Sequence, residues 1–156
     1  MRRIGIFGGT FDPPHIGHMI IAKEVQQTCR FDEVWFIPTN DPPHKKRANA
    51  TAKDRYAMVQ EMIQAEPTWK VLDIEIKREG PSFTIDTIID LQKMYPSNHF
   101  YFIIGADMVE YLPKWHKIDE LIQRISFICV NRPNHTLESP YPITEVRVPL
   151  WIYLQR

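Results

Sequence analysis

The rhythm of the chain limits its fold more than any single residue does: short β-rich runs alternate with segments whose apolar residues recur at helical spacing. Residues 2–7 (RRIGIF), 33–38 (EVWFIP), 69–76 (WKVLDIEI), 100–104 (FYFII), 126–130 (SFICV) and 145–148 read as strands. Met19, Ile20, Ala22 and Val25 predict a helix from Gly17 to Cys29; Met58, Val59, Met62 and Ile63 mark another, and Ile85, Ile88, Ile89 and Leu91 a third. Thr51 with Asp54 resembles an N-cap and its first-turn acid. A broken helical stretch, MVEYLPKW and then KIDELIQR, leads into the strand at 126. This alternation predicts an α/β fold, a doubly wound parallel sheet in one domain spanning residues 1–156. Such sheets bind ligands beyond the carboxyl ends of their strands, where strand order reverses. Three chemically rich segments follow strands, Gly8 to His18, Thr39 to Lys46 and Gly105 to Asp107, and they are expected to converge on one crevice.

The first of these sits in GIFGGTFDPPHIGHM, residues 5–19. Neither GxGxxG nor GxxxxGKS/T fits it. Gly8 and Gly9 let a phosphate or a planar group approach backbone that a Cβ would block. Pro13 and Pro14 hold the loop extended and keep Asp12 and His15 in fixed directions. The helix start near Gly17 offers unpaired N–H groups to an anion, flanked by His15 and His18 as further donors. An HxxH pair also ligates metals, but zinc needs a third and fourth ligand and none lies nearby at useful spacing. A structural role for either histidine alone stays open; with glycines, strand and helix start together, phosphate binding is the better reading.

Composition removes several classes. Formal net charge is zero, so no bulk field draws the chain to nucleic acid or a membrane; His44-Lys45-Lys46-Arg47 is the densest basic cluster. No apolar run approaches the ~20 residues of a membrane span, and no signal peptide precedes the first strand. Cys29 and Cys129 lie far apart without metal spacing and are expected to be reduced and buried. A cytoplasmic protein is expected; the sequence leaves homo-oligomerisation open.

GGTFDPPHIGH resembles the GxFDPxHxGH signature of the nucleotidyltransferase superfamily that uses an HxGH pair. IPTNDPPHK, GPSFTIDTI, FIIGADMVEYLPKW, a later NRP and YPIT are similar to the bacterial nicotinate-mononucleotide adenylyltransferases, over residues 1 to about 150. The resemblance implies a Rossmann-like nucleotidyltransferase fold and a reaction joining ATP to nicotinate mononucleotide, giving deamido-NAD and pyrophosphate. A phosphate monoester with a second pKa of ~6 is already ionised at neutral pH, so such a reaction needs no general base. Catalysis is then positioning and charge stabilisation without a covalent intermediate.

By the resemblance, His15, His18 and Lys45 are the catalytic set, with His18 nearest the α-phosphate and Lys45 reaching in beside His44. Gly8, Gly9, Thr10, Phe11, Gly105 and Asp107 would line the ATP site, the loop residues through backbone and Asp107 on ribose hydroxyls. Mg2+ is implied as a cofactor carried on the triphosphate. The nicotinate mononucleotide would lie against His44, Lys45, Ser82, Phe83, Thr84, Trp115 and Arg132. Trp115 offers a flat face to the pyridine ring, and the helix start at Ser82-Phe83-Thr84 offers N–H groups to its carboxylate. Read from the residues alone, Lys45 also fits a solvated surface charge, Asp107 a helix N-cap, Trp115 core packing and Arg132 a surface salt bridge. His116 stands where family members often carry tyrosine and receives no role.

After Val-Pro-Leu the resemblance calls for a segment like ISSTxIR, whose hydroxyls and arginine complete the phosphate clamp. The chain reads Trp151 to Arg156 (WIYLQR) instead. TGG ATA TAT CTT CAA CGN encodes that ending; read one base earlier, with C or T closing the Leu150 codon, it gives Leu-Asp-Ile-Ser-Ser-Thr. A domain truncated or frameshifted after about residue 150 is therefore expected, with reduced activity. Two other readings remain: another HxGH transferase such as pantetheine-phosphate adenylyltransferase, against which GPSFTIDT and LPKW speak, and a truncated nucleotide-binding protein with little catalysis.

Overall fold

The computed structural model describes residues 1–40 and 50–148. Among these residues six strands form one all-parallel sheet: β1 (Arg2–Gly9), β2 (Glu33–Pro38), β3 (Trp69–Val71), β4 (Asn98–Gly105), β5 (Ser126–Asn131) and β6 (Ile143–Arg147). Their order is β3-β2-β1-β4-β5-β6. The chain builds outward from β1 in one direction, then crosses back to β4 and builds in the other. Strand order thus reverses between β1 and β4, where the ligand crevice of such a sheet belongs.

Alternation along each strand explains the two layers. Ile4, Ile6, Trp35, Ile37, Phe100, Phe102, Phe127 and Cys129 face one side. There they pack against Ile85, Ile88 and Leu91 of α3 (Thr84–Met94) and Leu121 of α4 (Ile118–Arg124). Val34, Phe36, Ile103, Ile128 and Val130 face the other side, against α1 (Ile16–Cys29) and α2 (Ala52–Ile63). A 3₁₀ helix, Ala106–Lys114, leads away from β4.

Local expectations fare differently. Thr51 caps α2, its Oγ1 accepting the Asp54 amide at 3.1 Å. β3 ends at Val71 rather than at residue 76. The next rungs of its ladder would meet the end of β2 at Pro38, which has no N–H to give. The chain turns instead, with Lys77 donating to the Asp73 carbonyl at 3.0 Å and Arg78 to that of Glu75 at 3.3 Å. β6 starts at Ile143, two residues before the predicted 145. Both cysteines are free thiols, but only Cys129 is buried; Cys29 is half-buried. Burial first, then the charges of Glu145 and Asp107, push the Cys129 thiol up to about 12.

Gly5, in the middle of β1, is a close-packing glycine. A Cβ there would lie 2.6 Å from Cδ2 of the buried Phe31 ring and 3.3 Å from Ile103 Cδ1. Gly5→Ala is expected to cost about 1–3 kcal/mol through overpacking. Urea unfolding would show a lower midpoint at unchanged slope; an unmoved midpoint would mean that the ring yields freely.

Candidate active site

His15 and His18 face the exit of β1 as a reciprocal pair. His15 is the extended N-cap of α1, and its Nδ1 accepts the Gly17 amide at 3.0 Å. His18, three residues on, accepts the His15 amide with its own Nδ1 at 3.0 Å. This is a capping box made of two imidazoles, at the spacing usually filled by Ser or Thr and Glu or Gln. The rings stack with centroids 3.9 Å apart and 29° between planes. A backbone N–H always donates, so each Nδ1 carries a lone pair, and the ring proton of a neutral imidazole then resides on Nε2. Both histidines thereby carry a donor that the cap does not use. One helix-start amide expected to face an anion, that of Gly17, is taken by the His15 imidazole instead.

Aromatic packing fixes His18. The Phe11 ring stands edge-on to it at 5.0 Å and 73°, and Phe7 at 6.0 Å and 70°. Phe11 is a core residue, 3% exposed, on a backbone with φ of 52°. That left-handed conformation is costly outside glycine, and the surrounding rings hold it. Burial, and secondarily the neighbouring His15, lowers His18 from its ordinary value to about 4. At neutral pH the ring is therefore neutral. The unfolded chain takes up this proton near pH 6.5 and the native chain only near pH 4. His18 thus favours the unfolded state as pH falls from about 6.5 to about 4, and this cost is absent above that window. Urea midpoints between pH 7.5 and 4 are expected to fall more steeply in the wild type than in His18→Asn; equal slopes would contradict this.

The glycines divide their roles. A Cβ on Gly8 would approach Phe102 Cζ to 3.2 Å, and one on Gly9 the Phe11 ring to 3.5 Å; at Gly105 it would meet open space. Smallness at Gly8 thus also serves the packing of Phe102, a Cβ at Gly9 would make ordinary contact with the Phe11 ring, and Gly105 leaves the mouth of β4 clear. Thr10 is exposed, and its carbonyl accepts Nη1 of Arg55 at 2.8 Å. Arg55, fully buried on α2, also donates from Nε to the Ala50 carbonyl at 3.2 Å. Asp12 Oδ1 accepts the Ala50 amide at 3.2 Å. Sequence reasoning missed this brace. Its signal was an arginine at the buried helical spacing Ala52, Arg55, Val59, Ile63.

At the exit of β2, Thr39 donates its amide to the Gly9 carbonyl at 3.0 Å, next to the histidine loop. His44 and Lys45 lie outside the described residues, so only the start of that segment is placed beside the crevice.

Beyond β4, Asp107 is exposed in the first turn of the 3₁₀ helix; the N-cap is Gly105, not Asp107. Ala106, Asp107 and Glu110 face residues 135–138 across a cleft of about 280 Å³. Arg132 is half-buried just past β5, its amide held by Asn131 Oδ1 at 2.9 Å. No ion pair to Arg132 forms among the described residues.

The third cluster is aromatic. Trp115 is half-buried, edge-on to Phe102 at 5.9 Å and to Phe127 at 5.8 Å. Phe102 is the ring that Gly8 accommodates, which links Trp115 to the histidine loop. His116, given no role from sequence, stacks on Phe83 at 4.3 Å and 28°. Phe83 is the N-cap of α3 and no side chain caps it among the described residues, so the amides opening α3 lack a side-chain acceptor. Ser82 is half-buried with its Oγ accepting Arg78 Nη1 at 2.7 Å, and Thr84 opens the helix. The hydroxyl of Ser82 is therefore structural. Among the described residues, no three His, Cys, Asp or Glu side chains gather where they could hold a metal ion, and no helix is long and apolar enough to cross a membrane.

Comparison with known proteins gives the family and the fold. The cytidylyltransferase-like family profile matches residues 6–154. A protein of Oceanobacillus iheyensis named "probable nicotinate-nucleotide adenylyltransferase" is 56% identical over 149 residues, covering 96% of this chain and 78% of that protein. A protein of the same name from Geobacillus thermodenitrificans is 52% identical over 150 residues, covering 96% and 69%. Among solved structures, the Plasmodium falciparum nicotinic acid mononucleotide adenylyltransferase complexed with NaAD superposes with a TM-score of 0.80, covering 99% of this chain and 80% of that one. At 18% identity it speaks for the fold.

Proposed function

The chain belongs to the cytidylyltransferase-like family, among the nicotinate-nucleotide adenylyltransferases, and from that premise we propose that it transfers the adenylyl group of ATP to nicotinate mononucleotide. A phosphate oxygen of the mononucleotide forms a bond to the α-phosphorus as the bond from that phosphorus to the β-phosphate's bridging oxygen breaks. Deamido-NAD and pyrophosphate result. Both reacting groups are anions, so the protein's work is to align them and offset the charge that gathers on the α-phosphate.

One observation carries the reading: two imidazoles whose Nδ1 atoms are locked by backbone amides, leaving two Nε2–H donors at the strand-order reversal. His18 takes the α-phosphate and His15 the phosphates beyond it. Neutral donors suit this task, because they strengthen as charge develops without needing the proton balance of an imidazolium. Lys45 and His44 add charge from their loop, and Arg132 borders the same end of the sheet. Gly8, Gly9, Thr10, Phe11 and Gly105 form the walls, and Asp107 takes ribose hydroxyls at the cleft against residues 135–138. Mg2+ would arrive on the triphosphate, held chiefly by phosphate oxygens and water, a common arrangement for this cation.

At the acceptor end the nicotinate ring lies near Trp115 and the Phe83–His116 stack, with its carboxylate at the uncapped start of α3 near Thr84. An anion there meets the positive end of the helix dipole, which favours the acid over the amide. A pyrophosphate-release assay with ATP tests the proposal. Turnover with nicotinate mononucleotide well above that with nicotinamide mononucleotide or phosphopantetheine is expected; phosphopantetheine as the better acceptor would overturn it.

A further inference from the structure

The segment between β3 and α3, residues 72–83, carries the acceptor end of the site yet has no strand or helix of its own. One side chain organises it. Arg78 Nη1 donates to Ser82 Oγ at 2.7 Å and to Thr87 Oγ1 at 3.0 Å, while Nη2 donates to Asp90 Oδ2 at 2.7 Å. Thr87 is 1% exposed and its hydroxyl donates a hydrogen bond to Glu75 Oε2 at 3.0 Å. The Arg78 carbonyl accepts Asn40 Nδ2 at 3.2 Å. The guanidinium thus grips the chain just before the N-cap Phe83 and again one and two turns into α3. The backbone of the same residue is tied to the exit of β2.

We infer that Arg78 is a positioning residue: it fixes the open N-terminus of α3 as an anion seat and ties that seat to Asn40 at the exit of β2. The inference rests on the nicotinate-mononucleotide reading above. Three features support it. The uncapped amides beyond Phe83 form a site only if the helix start is held by something other than a cap, and the Ser82 and Thr87 contacts bracket it. The contacts need a planar fork with donors in divergent directions, which guanidinium has and ammonium lacks. The Arg78 carbonyl holds Asn40 just past β2, so the acceptor seat is anchored to the sheet as well as to α3. Burial pushes the Glu75 carboxyl up, while the Thr87 hydroxyl and the Arg78 charge oppose it. That acid is a further partner held by the same network.

Steady-state kinetics on Arg78→Lys and Arg78→Ala in the whole chain test the inference. The expected result is a rise of about 10- to 100-fold in KM for nicotinate mononucleotide in both variants, with KM for ATP within about twofold of the wild type. Asp90→Asn, which keeps an acceptor oxygen, is expected to stay near the wild type. Backbone hydrogen exchange on Arg78→Lys is expected to quicken at residues 79–86 and nowhere in the central strands. Restoration of KM by lysine, a parallel rise in both KM values, or faster exchange across the whole sheet would overturn it. A wild type that ignores nicotinate mononucleotide would instead end the functional reading, and the exchange comparison alone would then decide the positioning role.

Discussion

His18→Ala is expected to lower kcat for adenylyl transfer by ~10²–10³-fold, the scale on which single transition-state donors act. Alanine removes the Nε2–H donor and also the acceptor of the His15 amide, so the start of α1 loses half of its capping box. The second loss is modest, about 1 kcal/mol for a cap. The two roles separate by substitution. Asparagine places an oxygen near the position of Nδ1 and is expected to restore the cap without the rate. Glutamine reaches toward Nε2 and is expected to recover part of the rate. Equal kcat for wild type and His18→Ala would remove His18 from the chemistry; full activity in His18→Asn would show that only the cap matters.

Arg55→Met is expected to have the largest effect on stability. Methionine fills similar volume on α2 but leaves the carbonyls of Thr10 and Ala50 without their buried donor. A hydrogen bond from a charged donor contributes ~1.5–3 kcal/mol, and water recovers part of it at these part-buried carbonyls, so a loss of about 2–4 kcal/mol is expected. Thr10 adjoins Phe11, whose ring supports His18, and activity should fall beyond what unfolding explains. Arg55→Lys should recover little, because one ammonium lacks the fork that reaches both carbonyls. Chemical denaturation alongside kcat/KM checks both parts. A methionine variant as stable as the wild type would refute the brace.

Much of this was legible in the residues. The alternation that placed β2 at 33–38 worked because both neighbours of that strand are in the sheet and each face meets a helix layer. The Thr51 cap was readable because its partner lies three residues away. The convergence of the β1 and β4 exits followed from the sheet pattern, and the resemblance supplied the reaction. What escaped was long-range or concealed by residue type. Nothing local says that β3 must stop beside Pro38, since the proline is more than thirty residues earlier. A buried arginine in a helix looks like a solvated one until its carbonyl partners are known. The positive φ of Phe11 carries no mark, because sequence signals for that region are Gly and Asn. The histidine pair was seen as ligand donors, although its spacing was also that of a capping box.

Which nitrogen of each imidazole holds the proton decides whether the pair can donate to phosphate. Nitrogen-15 correlation spectra of the side chains of His15 and His18, recorded near pH 7.5 without and with ATP, read this directly. The expected spectra show Nε2 carrying the proton of each ring, Nδ1 bare, and Nε2–H signals that move when ATP is added. Rings protonated on Nδ1, or Nε2–H signals indifferent to ATP, would contradict this.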